Sequence, residues 1–467
     1  MRIFWIFVLL SALQARQYDL VIRSGRVMDP ESNLDAVRNL GISDGKIQAI
    51  SVAPLESGTV IDATGLVVAP GFIDLHSHGQ DAENYRYKAM DGVTTALEME
   101  VGVADVDAWY AARDGNALIN FGASVGHIPI RMRIMHDPGD FLPSGDAAHR
   151  AATEEEIAEL KRRIEHGLLR GAAGVGLGIQ YTPAASPREI LEMFRVAARF
   201  RATCFVHLRT AGDGSVQALE EVVSDSTGTG APLHVVHITS SGLGSTPRLL
   251  LMIGAARARM LDVTTELYPY TAAMTAIESA LLDPGWQSML GIDYHELQWT
   301  DTGERLTAAS FARYRKIGGA VILHMIPERA VLAALSSPFA MIASDGGLHN
   351  GKGHPRSSGT YARLLGRYVR GARALTLMEA LRKMSLMPAQ RLQDRVPMMR
   401  DKGRIRVGAD ADLTVFDPEN VLDASTYEEP AKYSKGIRYV LVNGVPVVRD
   451  GALEPVTPGR AVRAPVP

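Results

Sequence analysis

Eight apolar runs, each followed by a stretch of helical character, recur between residues 71 and 400. They cover 71–78, 94–102, 120–129, 173–181, 202–209, 232–239, 261–270 and 339–347. The clearest intervening helix opens at Thr153, where Thr153-Glu154-Glu155-Glu156 reads as a capping box and Ile157, Leu160, Ile164 and Leu168 follow at helical spacing. Strands that alternate with helices build parallel sheets, and eight such units in roughly 330 residues predict an α/β fold with a (β/α)8 TIM barrel over 71–400. The 44 glycines suit a fold with many tight turns.

Both ends have a different texture. Between Tyr18 and Val68 short alternating runs are broken by turns such as Ser43-Asp44-Gly45, and the far end carries a second hairpin signal at Asn443-Gly444. Neither end has enough strands to stand alone. Together they are expected to close a small β-sandwich from residues 18–70 and 401–467.

Residues 1–17 hold one early positive charge, the apolar core Ile3-Phe4-Trp5-Ile6-Phe7-Val8-Leu9-Leu10 and small residues near Ala15. This resembles a secretory signal peptide and implies an exported, periplasmic chain; without such a signal the chain would be cytoplasmic. The run is short for a membrane span, and no other segment is long and apolar enough. Charged residues at 22%, a net charge of −3 and no basic stripe with interleaved aromatics exclude nucleic acid and a membrane surface as expected partners of the mature chain. A single Cys204 excludes internal disulfides and a Cys-rich zinc site, and its parity against His207 assigns it to the core.

In a (β/α)8 barrel the chemistry sits at the C-terminal ends of the strands. The first run ends Asp74-Leu75-His76-Ser77-His78, and side chains at i and i+2 share one face of a strand. His207 lies near the end of the fifth run, His237 near the end of the sixth and Asp345 at the end of the eighth. His234 has the opposite parity to His237 and reads as core. Four histidines and an aspartate at one level of a barrel are costly to bury unless a divalent cation pairs them. The expectation is that they share one such cation, with zinc or a first-row neighbour suiting imidazole and one or two ions per chain allowed.

At these residues the chain resembles the amidohydrolase superfamily, and within it the N-acyl-D-amino-acid deacylases. The phrases that carry the likeness are Ala69-Pro70-Gly71-Phe72-Ile73-Asp74-Leu75-His76-Ser77-His78, Met341-Ile342-Ala343-Ser344-Asp345-Gly346 with His354-Pro355-Arg356, Tyr268-Pro269-Tyr270-Thr271, Gly126-His127, and the re-entry Gly408-Ala409-Asp410-Ala411-Asp412-Leu413. The resemblance implies a metal-dependent hydrolase of linear amides, acting on an N-acyl-D-amino acid or a dipeptide with a D-residue. Two departures stand out. Many members bridge two metals with a lysine on the fourth strand, and deacylases use a cysteine at the end of the second; here the fourth run has no lysine and the second no cysteine. The second run instead carries Glu98 and Glu100 on one face, so Glu100, nearer the strand end, is the expected substitute ligand, with Glu98 second. The deacylases also place a lysine after the strand-six histidine to hold the substrate carboxylate. Ile238-Thr239-Ser240-Ser241-Gly242 offers none, which leaves Arg209 and Arg356 as candidate clamps.

The resemblance further implies that Asp345 serves as general base and then acid, and that Tyr268, Tyr270 or His127 donates to the developing oxyanion. His349, Lys352 and His354 are expected in a loop beside the site, and 283–316, with Trp286, Tyr294 and Trp299, reads as an insertion capping the pocket. Two other readings remain: a cyclic amidase of the dihydroorotase or hydantoinase kind, against which the missing lysine argues, and a non-catalytic interaction protein on the same scaffold. Oligomeric state is left open.

Overall fold

The computed structural model describes residues 18–466. The apolar N-terminal run at 1–17, read above as a signal, lies outside the described residues.

Eight parallel strands form one sheet in chain order: Phe72–Asp74, Val93–Val103, Asn120–Gly126, Gly174–Gly178, Thr203–His207, Leu233–Val235, Val263–Leu267 and Ala340–Ile342. Each falls within or beside one of the eight apolar runs. The ring closes between first and last strands through the parallel bridge Ser77–Gly346, with Asp345 donating its N–H to His76 O at 2.7 Å and His78 to Gly346 O at 2.8 Å. The helix Glu154–Leu169 starts at Thr153 with both arms of the capping box made, and it buries Ile157, Leu160, Ile164 and Leu168.

The two ends of the chain meet in a nine-stranded sheet. Its seam is the antiparallel pairing of Val67–Pro70 with Leu413–Phe416. The sheet has its own core, in which Leu20, Ile22, Leu40 and Ile42 pack with Leu413 and Leu441. The Asp44-Gly45 and Asn443-Gly444 turns have positive φ at both positions, as two-residue hairpins of the I′ type require. The two turns also press together, since a Cβ on Gly444 would lie 2.8 Å from Gly45 Cα. Only glycine permits that approach.

The last stretch of chain leaves this sheet and returns under the barrel. Val462 donates to Phe121 O at 2.7 Å and Ala464 to Gly171 O at 3.0 Å. Val462 and Ala464 join Ala389, Leu392, Val396 and Met399 in a floor packed against the barrel's inward residues Ile73, Leu97, Met99 and Phe205. The opposite, C-terminal mouth is left for polar groups.

The insertion after the seventh strand is larger than its sequence suggested. A three-stranded sheet, Ala273–Ala276, Ala320–Leu323 and Leu297–Trp299, begins before 283 and ends after 316. Its aromatics form its own core rather than the pocket wall. Trp286 packs on Tyr294 and Phe311, and Trp299 stacks on Tyr314 with ring centres 4.3 Å apart. Met274, Thr275, Leu281 and Leu290 face the site instead.

Candidate metal centre

At the barrel's C-terminal mouth, Nε2 of His76, Nε2 of His78, one oxygen of Glu100 and one of Asp345 face one another. His76 Nε2 lies 3.1 Å from His78 Nε2, 3.0 Å from Glu100 Oε2 and 3.4 Å from Asp345 Oδ1. His78 Nε2 lies 3.3 Å from Glu100 Oε2 and 3.2 Å from Asp345 Oδ1. A tetrahedron with metal–donor bonds of about 2.0–2.1 Å has edges of about 3.3 Å. The donor spacing therefore matches a small divalent cation.

The groups behind these donors make the case chemically. His76 donates from Nδ1 to Glu266 Oε1 at 2.6 Å, and His78 from Nδ1 to Glu98 Oε2 at 2.7 Å. With Nδ1 protonated, both Nε2 atoms present lone pairs to each other and to two carboxylates. Four acceptors at such distances require positive charge between them. The same demand appears in the electrostatics around these donors. Burial pushes His76 down, but Asp345, Glu100 and Glu266 outweigh it and lift it to about 10. His78 is likewise raised, burial being outweighed by Glu98, Asp345 and Glu100. Burial pushes Glu100 up, and His76, His207 and His237 hold it well below the ordinary carboxylate range.

A second cluster shares Glu100. Its Oε1 lies 2.7 Å from His207 Nδ1 and 3.4 Å from His237 Nε2. Thus the six expected ligand residues do not surround one point. They divide into two nests, His76-His78-Glu100-Asp345 and Glu100-His207-His237, joined by the two oxygens of one carboxylate. The correction to the single-cation picture comes from strand geometry, because the first and eighth strands are neighbours in the ring and the fifth and sixth lie across it. The fourth strand, Gly174–Gly178, supplies no ligand-bearing side chain.

Backbone strain marks the same place. His237 has φ 31° and Asp345 φ 52°, left-handed values that β-carbons disfavour. Both residues sit just beyond a strand end, where the turn aims the side chain into the mouth. Beneath them Asp74 fixes the register of the first and eighth strands. It accepts from His76 N at 3.2 Å, Ser344 N at 2.9 Å and Ser344 Oγ at 2.6 Å. Lys88, 1% exposed, pairs with Asp74 Oδ2 at 2.8 Å. Breaking a buried pair strands a charge, so Lys88→Met is expected to destabilise the protein by about 3–5 kcal/mol, read from its denaturant midpoint. A loss under about 1 kcal/mol would contradict this.

The other expected site residues fare differently. Tyr268 lies at the mouth beside His237, Ser240 and Asp345; its hydroxyl is buried and has no hydrogen-bond partner of good geometry among the described residues. Arg356, 1% exposed, places Nη1 2.9 Å from Asp345 Oδ2 and its guanidinium 4.4 Å over the Tyr268 ring. Its Nε has no acceptor among the described residues. Burial pushes Asp345 up, but Arg356 and His76 hold it well below the usual carboxylate range.

His127 and Arg209 are corrections. His127 opens the helix His127–Met135, fully buried, with Nε2 2.7 Å from Glu189 Oε1, so it is committed to helix packing rather than to the mouth. Arg209 forks onto Glu221 at 2.6 and 2.8 Å and donates to Ala185 O, so its guanidinium is satisfied within the scaffold. Tyr270 is buried, its hydroxyl donating to Pro355 O. His354 is tied to Ala272 O and the Arg356 amide, while His349 and Lys352 line the cleft from the hairpin Leu348–His349 and Lys352–Gly353.

Sequence reasoning missed Glu266 and Gln180, and it read His234 as mere core. Gln180 Oε1 lies 2.8 Å from His207 Nε2, and His234 Nε2 lies 3.0 Å from Glu266 Oε2. Glu266 carried the same signal as Glu98 and Glu100, a carboxylate inside an apolar strand.

An open cleft of about 420 Å³ leads to the nests. Phe141, Leu142, Met274 and Leu348 make its wall largely apolar, and the Phe141 ring meets His78 edge-on at 5.2 Å.

Over residues 59–448 the chain matches the amidohydrolase family. A D-aminoacylase of Alcaligenes xylosoxydans xylosoxydans is 30% identical, the match covering 97% of this chain and 99% of that one. An N-acyl-D-glutamate deacylase of Bordetella bronchiseptica, solved with zinc and a phosphonate inhibitor that mimics the tetrahedral intermediate of the reaction, superposes with a TM-score of 0.83 at 29% identity, covering 96% of this chain and 100% of that one. A dihydroorotase of Anaeromyxobacter sp. (strain K) is 27% identical over only 55% of this chain and 61% of its own.

Proposed function

The chain belongs to the amidohydrolase family, and from that premise we propose that it is a zinc-dependent deacylase of N-acyl-D-amino acids. The observation that carries the reading is the four-donor nest, with edges of 3.0–3.4 Å, in which the carboxylate of Asp345 also faces a buried arginine. His76, His78, Glu100 and Asp345 would hold one ion, and His207 and His237 would share Glu100 toward a second. When bound, the metal supplies Lewis acidity that lowers the pKa of water and polarises the scissile carbonyl.

The chain's own residues do the rest. Asp345, ionised at neutral pH, takes a proton from the attacking water and passes it to the amide nitrogen as the carbon–nitrogen bond breaks. A carboxylic acid and a free amine result. The unpartnered Tyr268 hydroxyl donates to the oxygen that gains charge, or to the substrate carboxylate. Arg356 favours that carboxylate, because a buried guanidinium with an unfilled Nε attracts an anion. The apolar cleft wall suits an apolar acyl chain or side chain. The N-terminal pattern of charge and apolar residues supports export of the enzyme.

A panel of N-acetyl-D- and N-acetyl-L-amino acids set beside hydantoins and dihydroorotate tests this. Linear D-substrates should be turned over, with L-isomers and cyclic amides at least about tenfold slower in kcat/KM, a difference of about 1.4 kcal/mol. Cleavage of the cyclic amides alone would replace the reading.

A further inference from the structure

Two spaces open from the nests, and they differ in size and chemistry. On the side of His207 and His237 a hollow of only about 20 Å³ is walled by Leu281, Leu290, Leu323 and Met325 and bordered by Tyr268. On the side of His78 the cleft of about 420 Å³ lies open, within the range of small-molecule sites and far larger than an acetyl methyl fills. Arg356 stands between the two, lining the cleft and lying over the Tyr268 ring. A substrate whose carboxylate meets Arg356 and whose scissile carbonyl lies at the nests sends its acyl arm past His78 into the cleft. Phe141 stands over that exit. It is 48% exposed although its ring meets the His78 ring edge-on. Its loop is tied to one carboxylate. Asp137 Oδ1 accepts from Gly139 N at 2.9 Å and Ser144 N at 3.0 Å, and Oδ2 accepts from Gly145 N and Ala147 N at 2.9 Å. Leu142 is buried beside Phe141, and a Cβ on Gly139 would collide with Leu142 O. A large aromatic half in water on a pinned loop gains burial when something apolar lies against it, and here the cleft beneath it is apolar too.

We propose that the open cleft is the subsite of a long apolar acyl chain, that Phe141 selects for that chain, and that Asp137 is the positioning residue that presents Phe141. The inference rests on the deacylase reading and names its acyl class. It separates the two arms of the substrate: the amino-acid part lies toward Tyr268 and Arg356, and the acyl tail lies along Phe141, Leu142 and Leu348.

The test reads binding first. The zinc-loaded full chain is titrated in a calorimeter with alkyl hydroxamates from acetyl to octanoyl, which carry an acyl arm on a metal-binding head and no amino-acid part. Affinity should rise about two- to fourfold for each added methylene, the upper figure being full burial of the group. Phe141→Ala should flatten the rise, weakening the octanoyl probe at least about tenfold more than the acetyl probe. Asp137→Asn turns an oxygen that accepts two backbone N–H groups into a donor, so it should flatten the rise as well. Phe141→Leu, still apolar, should keep most of it. In turnover, N-acyl-D-amino acids that differ only in acyl length should show the same order in KM rather than in kcat, as binding shared by ground and transition states does. Three results would overturn the proposal: affinity that is flat with chain length in the wild-type protein, a rise that survives in Phe141→Ala, or equal losses on the acetyl and octanoyl probes, which would make Phe141 a support for His78 alone. Because the hydroxamates hold no D-amino acid, a failed substrate panel would leave the chain-length rise standing, and a flat rise beside turnover of D-substrates would remove the acyl assignment and leave the deacylase reading untouched.

Discussion

Asp345→Asn is expected to lower kcat on linear amides about 10³-fold while bound metal stays near the wild-type level. Asparagine keeps an oxygen where Oδ1 lies 3.4 Å from His76 Nε2 and 3.2 Å from His78 Nε2, and the other three donors of the nest are untouched. What it removes is the capacity to accept and return a proton. Amide nitrogen leaves poorly unless protonated, so the loss should shrink on an ester of the same acyl group, whose leaving oxygen needs less help. The comparison separates two roles of one side chain. A variant that loses metal and activity together would make Asp345 chiefly a ligand. A kcat within tenfold of wild type, with metal retained, would remove it from the mechanism.

The residues that were readable in the chain and those that were not differ in how far their partners lie in sequence. The barrel was legible because each strand and its helix are local, and the helix cap at Thr153 needs only four residues. His76, His78 and Asp345 were legible because strand ends are local too. Glu100 needed one further rule, that a carboxylate in a buried strand must have a partner. His127 and Arg209 misled because their partners, Glu189 and Glu221, sit on helices that nothing nearby in sequence links to them. The two nests were unreadable for the same reason. Their separation depends on which strands neighbour each other around the ring, a long-range fact that no local pattern records.

Glu100→Ala should have the larger effect on the metal itself, weakening zinc retention by more than the about 100-fold that loss of a supporting second-sphere group costs. Glu100 is 2% exposed and touches four imidazoles, with Oε2 toward His76 and His78 and Oε1 toward His207 and His237. Without it neither nest retains a negative donor shared with the other, and the second loses its only carboxylate. Activity should fall with the metal, below a thousandth of wild type. Glu100→Gln keeps the shape and one oxygen but not the charge, so it should resemble alanine more than wild type. Glu100→Cys is the informative counterpart, since a thiolate is also anionic and can bridge. The cysteine that the resembling deacylases place on this strand would then be exchangeable with a glutamate in kind. Elemental analysis of the three variants after dialysis, with melting curves of the metal-free proteins to show that each is folded, reads the order directly. Zinc should remain in the cysteine variant and be lost from the other two. Alanine protein that keeps its full complement of zinc would mean that the four histidines and Asp345 hold the ions unaided, and Glu100 would then serve only to balance charge.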